Sequence, residues 1–281
     1  MSGAKDPVRV GTFSVTLGSV PAAQWSFANG ELASLLDSAG VLSPSRELPW
    51  LVRFTESAIE LEVAEPAARE ARLACGAAAF TLRLALAARG TPAEATYGAG
   101  TGSVRLVPLP PRPPTGAERR LHAAEAGAPA PGISPGVRRA LTRAARAEDA
   151  WLVVLTGPRR LHGVTSMVRL ADEPAELTEA FHRKLDEWVG GRDTPLGVLG
   201  VHGDGPGDQV RAGAALQRVR LTAAAAGLPM SVLSAGVRTT GVRERLRVAL
   251  GRYASPQAVV CFCAGWDKTL ADPGAGGITG L

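Results

Sequence analysis

The sequence predicts a mixed helix-and-strand chain built from two pseudo-equivalent halves that dock helix to helix. Three observations predict it. Helical spacing and short alternating strand patterns interleave along most of the chain. Two long segments, apolar or small nearly all round, repeat one another at a fixed offset and read as buried core helices. A proline-rich stretch lies between the two parts of the chain that carry them.

The elements follow in order. Residues 1–30 form an N-terminal extension with two alternating stretches, 8–15 and 19–27, broken by Gly and Pro; they read as a strand or hairpin appendage. The first half runs over residues 31–107. Leu32, Leu35, Leu36 and Ala39 fall at helical spacing until Ser43-Pro44, residues 50–54 and 58–63 alternate as paired strands, and 66–89 is one long helix. Residues 108–136 carry Pro108, Pro110, Pro111, Pro113, Pro114, Pro129, Pro131 and Pro135. Proline neither donates to a β-ladder nor fits a helix interior, so this stretch is expected to be a linker or wrapping segment, with a disordered stretch as the plain alternative and an SH3-type ligand as the lesser one. The second half, 137–265, reads as helix 137–147, strand 150–156, helix 173–189, strand 196–201, helix 208–227, strand 230–233, helix 240–250 and strand 258–263. Residues 266–281 are a C-terminal tail.

The repeat is legible without gaps. Cys75-Gly-Ala-Ala-Ala-Phe-Thr-Leu-Arg-Leu-Ala-Leu-Ala-Ala-Arg-Gly90 aligns with Ala212-Gly-Ala-Ala-Leu-Gln-Arg-Val-Arg-Leu-Thr-Ala-Ala-Ala-Ala-Gly227 at an offset of 213 − 76 = 137. Gly76 matches Gly213, Arg83 matches Arg220, Leu84 matches Leu221, Gly90 matches Gly227 and Pro92 matches Pro229. Small residues let helix backbones approach closely, and the terminal glycine of each segment is placed to cap its helix.

Composition sets bounds. With 281 residues there is room for one large or two small domains, and 46% hydrophobic against 20% charged residues excludes wholesale disorder. No apolar run approaches the ~20 residues of a membrane span, and Met1 to Trp25 lacks the pattern of a secretion signal. Three cysteines make no disulfide framework, so a cytoplasmic protein, not membrane-bound, is expected. The formal charge of +5 comes from arginine, the lysines being Lys5, Lys184 and Lys268. Arginines cluster at Arg119 and Arg120, Arg138 and Arg139, and Arg243, Arg245 and Arg247, but with 5% aromatic residues and none interleaved these read as solvated faces rather than a nucleic-acid surface.

Other signals carry less chemistry. Gly203-Asp-Gly-Pro-Gly207 is neither a G-x-G-x-x-G nor a Walker loop; it reads as the loop before the second core helix, with Asp208 as its cap. Cys261-Phe-Cys263 reads as two buried free thiols, and Cys75 as core. His122, His162, His182 and His202 are scattered, so no metal site is expected. No G-x-S-x-G or H-E-x-x-H occurs.

The core helices carry a resemblance. Arg211-Ala-Gly-Ala-Ala-Leu-Gln-Arg218 and Leu221-Thr-Ala-Ala-Ala-Ala-Gly-Leu228 are similar to the W-x-R-A-G-x-A-L-Q-R-x-L-L-T-A-x-x-x-G-L stretch of the nitroreductase superfamily, in its duplicated Acg-like branch. The first core helix resembles that branch's C-G-A-A-L-x-N-L-R-L-A segment. Ser43-Pro-Ser45 with Pro49-Trp50 is similar to its P-S-x-x-N-x-Q-P-W segment, and Trp188 matches a tryptophan before the second core helix. The resemblance implies an α+β fold of two fused halves whose central helices pack together, with FMN in the groove between them.

It implies an FMN-dependent oxidoreductase that moves hydride between flavin and an organic substrate. The substrate is a nitro or quinone compound reduced at the expense of NAD(P)H, or a biosynthetic intermediate such as a peptide azoline that is dehydrogenated. The candidate flavin-binding residues are Ser43, Ser45, Arg46 and Trp50 in the first half, and Arg211, Arg218, Gly227, Leu228, Pro229 and Ser231 in the second. For Trp50 a core strand position, and for Arg218 an interhelical hydrogen bond, stand as alternatives. The chain departs from the family pattern in lacking its arginine-rich segment before the second half, its C-terminal T-P-R-R-P-like segment, and the Asn and Gln of the first-half motif, which fall on Arg46 and Leu48. These are positions that would hold FMN, and the alternative is a degenerate, non-catalytic member that sequesters flavin or serves as a protein partner or homodimer subunit.

Overall fold

A computed structural model describes residues 9–10, 13–14, 16–17, 49–55, 57–63, 68–124, 133–155, 195–233, 237 and 240–262. The chain is α+β: its sheets are almost wholly antiparallel and its helices alternate along the sequence with the strands. The expected helices at 32–39 and 173–189, with Trp188, lie outside the described residues, as do Ser43, Ser45, Arg46 and the tail.

Two compact units are present, one of residues 1–123 with 205–214, the other of 124–204 with 215–281. In the first, a five-stranded sheet has the order β3-β4-β5-β7-β6. β4 (Trp50–Phe54) and β5 (Ile59–Val63) are antiparallel, with Trp50 opposite Val63 and Phe54 opposite Ile59. Both strands obey a period of two: Trp50, Val52, Phe54, Ile59, Leu61 and Val63 are buried, whereas Leu51 and Arg53 are exposed. On the outer face Arg53 pairs with Glu62 at 2.9 Å and Arg105 with Glu60 at 3.4 Å, exposed cross-strand pairs worth little each.

The N-terminal extension contributes to this sheet. β1 (Arg9–Val10) and β2 (Phe13–Ser14) form a small hairpin, but β3 (Thr16–Leu17) joins β4 in parallel, with Thr16 opposite Arg53. The hairpin β6 (Ala93–Tyr97) and β7 (Ser103–Pro108) completes the sheet. Sequence reading gave no element between residues 90 and 107, because only Val104 and Leu106 carry a strong inward apolar signal.

α1 (Arg69–Ala88) covers the inner face and is buried nearly all round. By length and composition α1 is apolar enough to cross a membrane, contrary to the sequence reading: an 18-residue window has mean hydropathy 1.4. That window is 78% buried inside the protein, as for a core helix. α1 ends in a Schellman motif: Gly90, at φ +84°, donates to Ala87 O and Thr91 donates to Leu86 O. The stretch expected as linker is ordered at its start. Pro108 ends β7, residues 109–115 belong to no helix or strand, and α2 (Gly116–His122) begins at a Thr115–Glu118 capping box.

In the second unit a four-stranded antiparallel sheet has the order β10-β11-β9-β8. The central strands β9 (Leu196–Val201) and β11 (Ser255–Cys261) are buried almost throughout, so they read as continuous apolar runs. β8 (Trp151–Leu155) and β10 (Ser231–Leu233) form the edges. α3 (Pro135–Arg146), capped by Ser134 with Pro135 at its first turn, packs on β8. α5 (Thr240–Ala249) packs on β11. Cys261 is disulfide-bonded, which corrects the expectation of a free thiol there; Cys263 lies outside the described residues. Cys75 is free and buried on α1.

Candidate functional site

α4 (Pro206–Ala224) carries most of the candidate residues. Residues 205–214 group with the first unit and the remainder with the second. Asp208 sits one turn in rather than at the cap position, and its carboxylate accepts from the Gly205 N–H at 3.1 Å, the return half of a capping box. A Cβ on Gly207 would stand 2.1 Å from the Gly98 carbonyl oxygen. Gly207 thus serves a close backbone approach by the β6–β7 turn, and the Asp208 carboxylate lies in the first turn, where the helix dipole favours negative charge.

The start of α4 crosses α1 at two glycines. A Cβ on Gly76 would lie 1.8 Å from the Val210 carbonyl oxygen, and one on Gly213 would lie 1.9 Å from that of Leu73. These contacts are reciprocal at the offset found in the sequence, since Gly76 and Leu73 each lie 137 residues before Gly213 and Val210. Arg72 Nη1 donates to Gln209 Oε1 at 3.1 Å, and those two residues are also 137 apart.

Beside the crossing, the Arg211 guanidinium lies over the Tyr97 ring, 5.0 Å from its centroid. Arg72 passes over Gly102, where a Cβ would be 3.4 Å from its Cγ and Nε. Arg211 with Tyr97, and Arg72 with Gln209, are thus two polar pairs on the first unit. Of these the sequence reading named only Arg211. The 137-residue offset is the signal by which Arg72 and Gln209 were findable; Tyr97 gave none.

The remaining described candidates have other partners. Trp50 is a buried strand residue of the first unit's core, on the side of the alternative reading. Arg218 donates from Nη1 to Glu148 Oε1 at 2.8 Å, and the Glu148 side chain is 3% exposed. Gly227, at φ +71°, closes a second Schellman motif: its N–H goes to Ala224 O and that of Leu228 to Ala223 O. Each of these bonds lies 137 residues after its counterpart at the end of α1. Leu228 is buried, Pro229 is half-buried, and Ser231 opens β10 opposite Cys261.

A flavin asks for donors at its phosphate and at its N1–C2=O edge. Among the described candidates, the Gly227 and Leu228 N–H groups and the Arg218 guanidinium already serve bonds within the fold, and the α4 N-terminus is met by Asp208.

The second unit contains a buried polar network that the sequence did not announce. Arg243, 8% exposed, donates from Nη2 to Asp204 Oδ2 at 2.8 Å and from Nη1 to Val237 O at 2.9 Å. Gln257, fully buried, donates from Nε2 to Gly203 O at 3.0 Å and to Asp204 Oδ1 at 3.1 Å. Both oxygens of Asp204 are bonded, so the loop after β9 is fixed. Arg243 is no part of a solvated basic face.

No family model and no curated protein matches the chain. Several solved structures are similar to part of it, among them these two. One, from Bacteroides thetaiotaomicron, is described as an NADH dehydrogenase/NAD(P)H nitroreductase; it is 13% identical, with a TM-score of 0.37, over 54% of this chain and 89% of that one. The other, of the same description, comes from Parabacteroides distasonis; it is 15% identical, with a TM-score of 0.34, over 54% of this chain and 90% of that one.

Proposed function

We propose that the chain is an oxidoreductase of the nitroreductase type, a fused pair of pseudo-equivalent halves. The observation that carries this reading is the reciprocal crossing at Gly76 and Gly213. The glycines at the crossing belong to the two segments that resemble the superfamily's core helices. Equivalent Schellman motifs at Gly90 and Gly227 support the same duplication. The finer reading rests on the resemblance: FMN as cofactor, NAD(P)H as electron donor, and a nitro compound, quinone or peptide azoline as substrate, in a cytoplasmic protein. Of the described candidates, Arg211 beside Tyr97 is the group best suited to an anionic, ring-bearing ligand, because it joins a planar cation to an aromatic face.

A second reading has its own observation. The expected flavin donors Arg218, Gly227 and Leu228 are engaged within the fold, which favours a non-catalytic relative that acts as a flavin-sequestering or protein-interaction partner. Visible absorbance of the untagged protein, followed by FMN titration, separates the two. Bound flavin, or saturable quenching of added FMN, upholds the oxidoreductase and justifies turnover assays with NAD(P)H. A colourless protein that ignores FMN overturns it in favour of the interaction partner.

A further inference from the structure

Residues 109–113 are exposed, yet they are tied to the protein by hydrogen bonds, and the helix that follows them rests on α1. Leu109, Pro110, Pro111, Arg112 and Pro113 are all exposed, and α2, which follows, has no buried residue. Ordering a segment costs conformational entropy that apolar burial usually offsets; here specific hydrogen bonds contribute beside the packing of α2 on α1. Leu109 and Arg112 are the residues of the 109–113 run that possess an N–H. They use it on the α1–β6 turn: Leu109 donates to Pro92 O at 2.8 Å and Arg112 to Gly90 O at 3.1 Å. Arg112 grips Glu118 with both terminal nitrogens, at 2.8 and 2.6 Å. The Thr115–Glu118 capping box closes the turn into α2, and Arg119 donates to Pro114 O.

The proline content favours polyproline II geometry for this run. Each proline fixes its own φ near −65°, and Leu109, Pro110, Arg112 and Pro113 each precede a proline, which disfavours the helical region for them. Thr115, just beyond, has φ −68° and ψ 161°. Polyproline II has three residues per turn, so Leu109 and Arg112 share one edge, tied to the protein through their N–H groups. Pro110 and Pro113 share a second edge, one turn apart, with the P-x-x-P spacing. Among the described residues, the Pro110 and Pro111 carbonyls accept no hydrogen bond. Directly after the run, exposed Arg119, Arg120 and His122 give α2 a basic surface.

We infer that residues 109–113 are a displayed polyproline ligand, flanked by the basic α2, for a partner domain with an aromatic-lined groove and an acidic rim. Such grooves stack aromatic rings on successive proline edges and bond the free carbonyls. A ligand already held in the bound conformation loses less entropy on docking. The basic α2 supplies the charge that selects an acidic rim and makes docking weaken as salt rises. The inference stands apart from flavin binding, since none of these residues is a flavin candidate.

The test uses the full chain with a panel of purified SH3- and WW-type domains, read through the tryptophan fluorescence of their grooves. Saturable binding by at least one domain is expected. It should weaken about tenfold or more, roughly 1.4 kcal/mol, in the Pro110→Ala/Pro113→Ala variant, with an unchanged melting temperature. Arg120→Glu, an exposed change on α2, should weaken binding to the same domain independently. Failure of every domain to bind the wild-type chain overturns the inference. So does binding that survives both variants, or a double variant whose melting temperature falls by several degrees while binding persists, which would make the run a structural strap.

Discussion

Replacing Gly213 with alanine tests the helix crossing directly. The new Cβ would lie 1.9 Å from Leu73 O and 2.7 Å from Leu73 C, both backbone atoms on α1. Since such approaches do not occur below 3.0 Å, the helices must part locally by about 1.1 Å. No flexible side chain stands in the way to absorb the shift. Overpacking of a well-packed site costs about 1–3 kcal/mol, and parting the helices also loosens the contacts of Val210, buried in the first unit's core. Against this, exchanging glycine for alanine inside a helix gains roughly 0.8–1.0 kcal/mol.

The net expectation is a loss of about 1 kcal/mol. At roughly 2–4 °C per kcal/mol for chains somewhat shorter than this one, the melting temperature should fall by about 2–4 °C. Gly76→Ala meets the Val210 carbonyl at 1.8 Å and should cost a similar amount. The double variant should cost less than the two together, because one parting of the helices serves both methyl groups. Gly241, near the start of α5 with nothing within 4 Å of an added Cβ, is the control, and its alanine variant should be neutral or slightly stabilising. Urea denaturation with thermal melts decides the matter. If Gly213→Ala raises stability as Gly241→Ala does, the close crossing is refuted, and with it the observation on which the proposed function rests.

Arg218→Ala should destabilise by about 3 kcal/mol, because it leaves the Glu148 carboxylate buried without its guanidinium; a double-mutant cycle with Glu148→Gln measures the coupling, and an unchanged melting temperature would show the pair to be dispensable. Glu118 is held down to about 2, chiefly by its hydrogen bonds from Arg112 and then by those from Thr115. The carboxylate therefore stabilises the α2 cap above the unfolded value of about 4.3, and that contribution is lost as pH falls toward 2. Glu118→Gln should remove this part of the acid dependence, as monitored by amide exchange at Thr115. Burial pushes the Cys75 thiol up to about 12, so the thiol stays neutral. Its contribution is present below the unfolded value of about 8.5 and lost as pH climbs toward the folded one. Disulfide-exchange reagents at pH 8 should label Cys75 only after unfolding, and rapid labelling of the folded chain would contradict its burial.

The strands at 50–54 and 58–63 were legible almost to the residue, because one face of each meets the core and the other meets solvent, which writes a period of two into the sequence. The core helices, their glycine caps and their 137-residue offset were legible for a related reason: a helix buried on every side admits only small and apolar residues. The hairpin at 93–108 and the helix at 116–122 were not legible. The first has few strong apolar positions, and the second buries none, so neither leaves a periodic trace.

The sequence by itself determined which helices form the core and which glycines permit them to cross, since these depend on side-chain size along a single segment. Only the tertiary structure decided what each polar group does. Arg218 stood open between a flavin edge and a partner within the fold until Glu148, 70 residues earlier, was seen beside it. Arg243 looked like one of a solvated basic run until Asp204, 39 residues away, was found against it. The energy of a charge depends on its partner and on the water removed around it, and both are set by residues distant in the chain.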